Sequence, residues 1–386
     1  MIRSIKLKNF KCFKEINVPD FRKLTVFTGQ NNAGKSSIFQ AIIFLKSFIE
    51  NQRLIWNMPR AFNLVNFEET VYKHEIDRDI EIIVTFAIYE EDRERLKEEI
   101  MADSIEYSIK ISKYRPIREN IKVDPFEIEF DGEELHHNIP TANLRVRTFK
   151  NAPLSWTVKG DKSQLVENIK EIIKEKFRDI YYISDKRGIL DTYYGIDEEP
   201  KDVGFAGENS IVKLHYIYSD RSEAFNKIEQ WIKRLDPEIQ MIKSPVKHGR
   251  TTIELKTIHG DINLLSGGYG LNTVFPIIMQ TIISPFRSII LIEEPEIHLH
   301  KGAQKIIMEL FRDIIAEEEK QIVFTTHSID ILMEWWGEIS RGKGPEIEEN
   351  SVIWNIIKQN GKRKPEKLSF VEHYNRWREQ LRNLEQ

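Results

Sequence analysis

The residues Gly29-Gln30-Asn31-Asn32-Ala33-Gly34-Lys35-Ser36-Ser37 set two glycines, a lysine and two hydroxyls at the spacing G-x-x-x-x-G-K-S. That spacing suits phosphate. Backbone N–H groups of a glycine-rich turn and of the helix start behind it face oxyanions, the Lys35 ammonium reaches β- and γ-phosphates, and the Ser36 hydroxyl can ligate Mg²⁺. A Gly-rich turn arising by chance is the alternative. The neighbours argue against it: Leu24-Thr25-Val26-Phe27 reads as a strand before the loop, and Ile38, Ala41, Ile42, Leu45 and Ile49 repeat at helical spacing after it. Gly29 to Ser37 are therefore expected to hold ATP with Mg²⁺.

Glu293 and Glu294 close the apolar run from Ser288 to Ile292 and precede Pro295. Two acids at the carboxyl end of a buried strand are costly unless they have work to do. In a functional reading Glu293 serves the magnesium side through water, and Glu294 orients and activates the water that attacks the γ-phosphate in line. In a structural reading they decorate a helix N-terminus, where acids suit the macrodipole. The P-loop in the same chain favours hydrolysis. His327 follows a second apolar run, Gln321 to Thr325; it is either a packing residue or, at a strand's carboxyl end, a γ-phosphate sensor. His298 and His300 stand two apart, which suits a strand rather than one helical face, so they are expected to hydrogen-bond at a helix entrance. Leu265-Ser266-Gly267-Gly268 opens another helix, a second anion-binding end. One chain does not need two for the same γ-phosphate. The economical solution is a head-to-tail dimer in which Ser266, Gly267 and Gly268 of one protomer cap the ATP held by Lys35 of the other.

The elements that must position these residues read as a mixed fold. Alternation in residues 5–8 and the run from Phe21 to Thr28 predict strands ahead of the P-loop helix, and residues 81–129 predict an antiparallel sheet. A helix is expected over about 162–178, a short strand over 180–184, a loop over 188–207 and a second helix over about 210–235. A strand over 251–257 leads to the Ser266 loop and a helix that Pro276 should kink. The runs at 288–292 and 321–325 carry the mark of strands buried on both faces of a parallel sheet, with a helix over about 302–318 between them.

With 386 residues, 40% hydrophobic and 31% charged, the chain is that of a soluble globular protein with room for a large core. Cys12 is its only cysteine, which excludes an internal disulfide or a thiolate cluster. No apolar run is long enough to span a membrane, and a cytoplasmic location is expected. The net charge of −4 gives no global attraction to nucleic acid. Local basic stretches occur at Lys6, Lys8, Lys11 and Lys14, at 113–118 and at 361–364; solvated edges and turns are favoured for them over DNA contacts.

The P-loop, Leu-Ser-Gly-Gly, Ile-Glu-Glu-Pro and strand-end histidine, in that order, resemble the ATP-binding cassette heads shared by SMC, RecF and OLD-type ATPases. The opening residues 2–13 resemble the start of RecF and OLD proteins, and residues 292–300 with Thr326-His327-Ser328 resemble the OLD type most closely. The resemblance covers residues 1–50 and 250–330 strongly. It implies an α/β fold: an ABC-type P-loop NTPase head with a mixed or parallel core sheet, an antiparallel β subdomain and an inserted helical lobe. The expected division is 1–50 with 250–360 as ATPase core, 51–160 as β-rich subdomain, 161–249 as helical lobe and 361–386 as helical tail. The implied roles give ATP to Gly29–Ser37, Mg²⁺ to Ser36 and, through water, Glu293, the hydrolytic base to Glu294, the switch to His327, and a signature in trans to Ser266, Gly267 and Gly268. Glu293 departs from the aspartate usual at its position, and no glutamine is assigned to the Q-loop. Arg187, in Ser184-Asp185-Lys186-Arg187-Gly188, resembles an arginine of OLD-like ATPases; a structural salt bridge is the other reading. OLD nucleases add a Toprim domain with an Asp-x-Asp cluster. No aspartate follows Asp330, so the nuclease half is expected to be absent. The implied function is a slowly hydrolysing ATPase that forms an ATP-dependent homodimer or higher homo-oligomer and controls a separate effector protein, as in antiphage defence. The alternative is a RecF-like repair ATPase that binds DNA directly.

Overall fold

The computed structural model describes residues 1–96, 102–113, 115–124, 126–131, 145–148, 156–157, 162–338, 349–359, 362–369 and 372. Two compact units divide the chain. The first comprises described residues of Met1–Arg22, Gly29–Ile180 and Asn355–Glu366; the second comprises Lys23–Thr28, Tyr181–Trp354 and described residues from Lys367 onward.

In the first unit an eight-stranded sheet runs in the spatial order Trp156–Thr157, Arg145–Thr148, Phe126–Asp131, Arg115–Val123, Ser104–Ser112, Ile80–Ala87, Ile2–Phe10, Phe13–Val18. Neighbours pair antiparallel throughout. Alternation explains it: Ile105, Tyr107, Ile109 and Ile111 of one strand are buried while the residues between them are half-buried, so one face has a core to cover. Helices Lys35–Asn51 and Lys162–Arg178 pack on each other in this unit. Phe177 enters the sheet's core against Phe86 and Tyr107, with ring centroids 5.0 and 5.5 Å away. Lys46 Nζ donates to the carbonyls of Phe177, Arg178 and Ile180 at 3.1, 2.8 and 2.8 Å, placing a cation on the negative end of that second helix.

The second unit is built on a different sheet. Ile289–Glu293, Gln321–Thr325 and Leu24–Thr28 lie side by side and parallel, in the register Glu293↔Thr325 and Thr325↔Phe27, and every residue of all three is buried. Ile180–Ile183 flanks Ile289–Glu293, and Ser351–Gln359 begins beside Leu24–Thr28. Helices Tyr269–Ile283 and Lys301–Glu318 contribute Phe275, Ile278, Ile307 and Phe311 to its core. Pro276 lies inside the first of these helices without ending it. No helix among the described residues is long and apolar enough to cross a membrane.

Three sequence expectations are corrected. The single helix over 210–235 is two helices, Ser210–Ser219 and Glu223–Leu235, because Ser222 turns extended and its side chain accepts the Ala224 N–H at 3.2 Å, starting a new helix. The strand over 251–257 is divided into Arg250–Thr251 and Glu254–Thr257, which join separate sheets; the Thr251 hydroxyl is held by Ser244 Oγ at 2.9 Å while Leu255 turns inward opposite Ile242. At the start of the expected helical tail, Lys362–Leu368 is a strand at a sheet edge, and most of the rest of that tail lies outside the described residues. Pro365 disfavours a helix interior there and is tolerated at such an edge.

Glu119 lies on the Arg115–Val123 strand; burial pushes its carboxyl up to about 7, against the opposing pull of the Tyr107 hydroxyl and the Lys170 charge. The folded carboxyl thus keeps its proton after the unfolded one, with its ordinary value of 4.5, has lost it. Its contribution is most favourable below that ordinary value and is lost as pH rises through about 7. Glu119→Gln should flatten this part of the stability profile, read as the denaturant midpoint across that pH window.

Candidate functional site

The Leu24–Thr28 strand delivers the chain into Gly29, and two glycines shape the loop that follows. Gly29 has φ 134°, and a Cβ there would lie 2.5 Å from the carbonyl oxygen of Ile356. Gly34 has φ 106°, and its Cβ would lie 2.5 Å from both Cys12 Sγ and Phe13 Cζ. Both positions thus exclude a side chain on steric as well as conformational grounds. The Ala33 N–H donates to Gln30 O at 3.1 Å, the Ser37 N–H to Gly34 O at 3.0 Å, and Lys35 Nζ to Gly29 O at 3.0 Å and Gln30 O at 3.3 Å. Arg363 braces the loop from outside, its Nη1 donating to Cys12 O at 2.9 Å and its Nη2 to Asn32 O at 3.2 Å. Burial pushes the Cys12 thiol up, partly offset by the Arg363 charge. The helix Lys35–Asn51 starts at Gly34 with no side-chain cap and no acid in its first turn, and Ser36 is exposed at that end. An uncompensated helix N-terminus with exposed hydroxyl and N–H groups is an anion site by construction.

The second unit brings Glu293, Glu294, His327 and Arg187 together. Glu293 is the last residue of its strand and only 5% exposed; Tyr182 from the neighbouring strand hydrogen-bonds it, and burial followed by the Glu293 charge pushes that phenol well above its usual range. Glu294 adopts φ 43°, its N–H donating back to Thr325 O at 3.0 Å, and its Oε1 lies 3.3 Å from His327 Nε2. The partly exposed carboxylate and imidazole therefore face each other just past the ends of adjacent strands.

Among the described residues Arg187 makes no salt bridge of the kind its structural reading expects. Its guanidinium donates to four main-chain carbonyls: Thr273 at 3.0 Å, Ser184 at 3.1 Å, Glu293 at 2.6 Å and Glu294 at 2.7 Å. Burial pulls it down to about 10, while Glu296, Asp185, Glu294 and Glu293 favour the charged form, so it stays a cation at neutral pH. It joins the acidic strand end to the helix Tyr269–Ile283. That helix begins at Gly268, φ 93°, after a 3₁₀ turn Leu264–Ser266 tied by the Leu265 N–H to Asn263 Oδ1 bond of 3.0 Å; Ser266, Gly268 and Tyr269 are exposed. His300 caps the helix Lys301–Glu318 as expected of a helix entrance, its Nδ1 accepting the Ala303 N–H at 3.3 Å, whereas His298 packs edge-on to Tyr269 with ring centroids 4.4 Å apart.

Sequence reasoning missed four participants: Arg363, Tyr182, Glu296 and Gln304. Arg363 was visible as charge in a basic run, and Glu296 stood two residues beyond Glu294. Nothing local announced the partners of any of the four.

A G-x-x-x-x-G-K-S loop that leaves one strand of a parallel sheet, with two acids ending another, defines a P-loop ATPase head. The family described as "AAA ATPase domain" matches residues 1–332, and the chain belongs to it. It is 22% identical over 356 residues to an "ATP/GTP phosphatase" of Helicobacter pylori, covering 86% of each chain. It is also 22% identical over 362 residues to an "OLD nuclease" of Thermus scotoductus, where the match takes 85% of this chain but 59% of that protein's length. Among solved structures, an SMC head bound to the C-terminal winged-helix domain of ScpA matches with TM-score 0.55 at 15% identity, covering 97% of this chain and 99% of that one. An SMC head with an extended coiled coil, bound to the C-terminal domain of ScpA from Pyrococcus furiosus, matches with TM-score 0.52 at 14% identity, covering 99% of each. The fold is thus the SMC-head α/β fold of an OLD/SMC-like, ABC-type ATPase.

Arg187→Ala would leave four carbonyls without their shared cation. It should lower stability by at least about 1–3 kcal/mol, the cost of leaving a buried acceptor unsatisfied, measured by denaturant unfolding, with Arg187→Lys recovering only part because an ammonium lacks the planar fork.

Proposed function

We propose that the protein is a slow ATPase whose ATP state is a dimer and whose cycle switches a separate effector. The observation that carries this reading is the Glu294–His327 pair, 3.3 Å apart at the ends of strands in the parallel sheet that also contains Leu24–Thr28, the strand running on into Gly29. ATP phosphates sit on the N–H groups of Gly29–Ser37, with Lys35 exchanging loop carbonyls for phosphate oxygens. Glu294 takes a proton from the attacking water, and His327 donates a hydrogen bond to the γ-phosphate. Mg²⁺ suits the donors: Ser36 offers a hydroxyl directly and Glu293 a carboxylate through water, both hard oxygens. Among the described residues no group of three or more His, Cys, Asp or Glu forms a cage, in keeping with an ion held largely by phosphates and water. When bound, Mg²⁺ neutralises charge on the β- and γ-phosphates.

Ser266, Gly267 and Gly268, of which the first and last are exposed, complete the site of a second protomer, another uncapped helix start meeting the same nucleotide. The name of the Helicobacter pylori relative supports hydrolysis, and the ScpA-bound SMC heads support a partner protein for this fold. The antiphage setting rests on the OLD-type likeness. Basic residues that a direct DNA clamp would present are engaged within the protein: Lys6 with Glu15 at 3.0 Å, Lys8 with Glu81, Arg118 with Glu129 at 3.3 Å, and Arg363 with the P-loop. This favours the effector switch over a RecF-like role.

Lys35→Ala should abolish ATP binding and hydrolysis. Glu294→Gln should keep binding, lower kcat by about 10²–10⁴-fold and accumulate an ATP-bound dimer in light scattering; hydrolysis at the parent rate in that variant rejects the assigned base.

A further inference from the structure

One oxygen of Glu296 takes three hydrogen bonds. The Thr326 hydroxyl and the backbone N–H groups of His327, at 3.0 Å, and Ser328, at 3.1 Å, all donate to Oε1. These donors lie just past the Gln321–Thr325 strand, where the ladder has ended and main-chain N–H groups need another acceptor. A second strap runs alongside: Ser328 Oγ donates to Gln304 Oε1 at 3.0 Å, and Gln304 Nε2 donates to Leu299 O at 2.9 Å. Together they bind the turn that carries His327 to the segment that carries Glu294. Bonds to a carboxylate are about twice as strong as neutral ones, and three converging on one oxygen restrict the turn in position and orientation.

We propose that Glu296 is the positioning residue for His327: its carboxylate fixes the Thr326–Ser328 backbone so that the imidazole meets Glu294. This rests on the reading of Glu294 and His327 as the hydrolytic pair. The two acids divide the labour, Glu294 facing the reaction and Glu296 facing the backbone behind it. A shift of Glu296 within the Glu293–Glu296 turn reaches the His327 backbone directly, through Oε1.

The test is steady-state ATP hydrolysis and equilibrium binding of a fluorescent ATP analogue for Glu296→Ala, Glu296→Gln, His327→Ala and the Glu296→Ala/His327→Ala double variant. Glu296→Ala should lower kcat by about 10–100-fold and leave nucleotide affinity within about twofold. Glu296→Gln, which keeps an acceptor oxygen, should recover most of that loss. The double variant should be no slower than His327→Ala, because Glu296 acts through the histidine. Losses that multiply in the double variant, no rescue by glutamine, or weakened binding at unchanged kcat each overturn the proposal. If Glu296→Ala does not fold, Glu296→Asp takes its place in the cycle: it keeps the charge, withdraws the carboxylate by one methylene and should be slow in the same way. A His327→Ala variant with the parent kcat overturns the hydrolytic reading itself, whereas a slow His327→Ala beside a normal Glu296→Ala overturns positioning alone.

Discussion

Three parallel strands buried from end to end leave no room for a charged side chain along their length. Ile289–Glu293, Gln321–Thr325 and Leu24–Thr28 are covered on both faces, so charged groups of this sheet gather where the strands stop. The pairing Glu293↔Thr325 sets those stops level, and the residues beyond them, Glu294 and Thr326-His327, emerge as neighbours. The positive φ of Glu294 turns the chain at once, with its N–H still bonded to Thr325 O. Register in the apolar core thereby decides the geometry of the polar site.

A second regularity is the use of main-chain carbonyls to hold cations. Arg187 binds four, Lys46 three, and Lys35, Lys320 and Arg363 two each. A carbonyl cannot be neutralised by a proton, so these braces persist at any pH at which the cation stays charged. Arg187 also secures the backbone beneath Glu293 and Glu294 from behind, by their carbonyls, which suits acids whose carboxylates have other partners to meet.

The sequence made the apolar logic plain and left the polar logic half visible. The runs at 288–292 and 321–325, the alternation of residues 104–112 and the helix over 162–178 follow from periodicity, and the structure has them. The joint at Ser222 escaped because apolar residues continue in helical phase on both sides of it, and a single capping serine is a weak signal against that pattern. Arg187 was conspicuous as a residue, but backbone carbonyls leave no trace in a sequence, so only a carboxylate partner suggested itself. Glu296 reaches residues some thirty positions away, and Arg363 reaches Cys12 and Asn32 from the far end of the chain. Contacts of that separation are products of the fold rather than of local pattern.

The crowding around Gly29 and Gly34 bears on how separable the phosphate loop is. A fragment from Leu24 to Asn51 contains the whole motif with its strand and helix, yet the walls that forbid a side chain at the two glycines belong to Ile356, Cys12 and Phe13. The brace on Asn32 comes from Arg363. Grafted elsewhere, the motif would keep its letters and lose its mould. Its shape is a property of three distant stretches of chain meeting: the loop itself, Cys12 with Phe13, and Ile356 with Arg363.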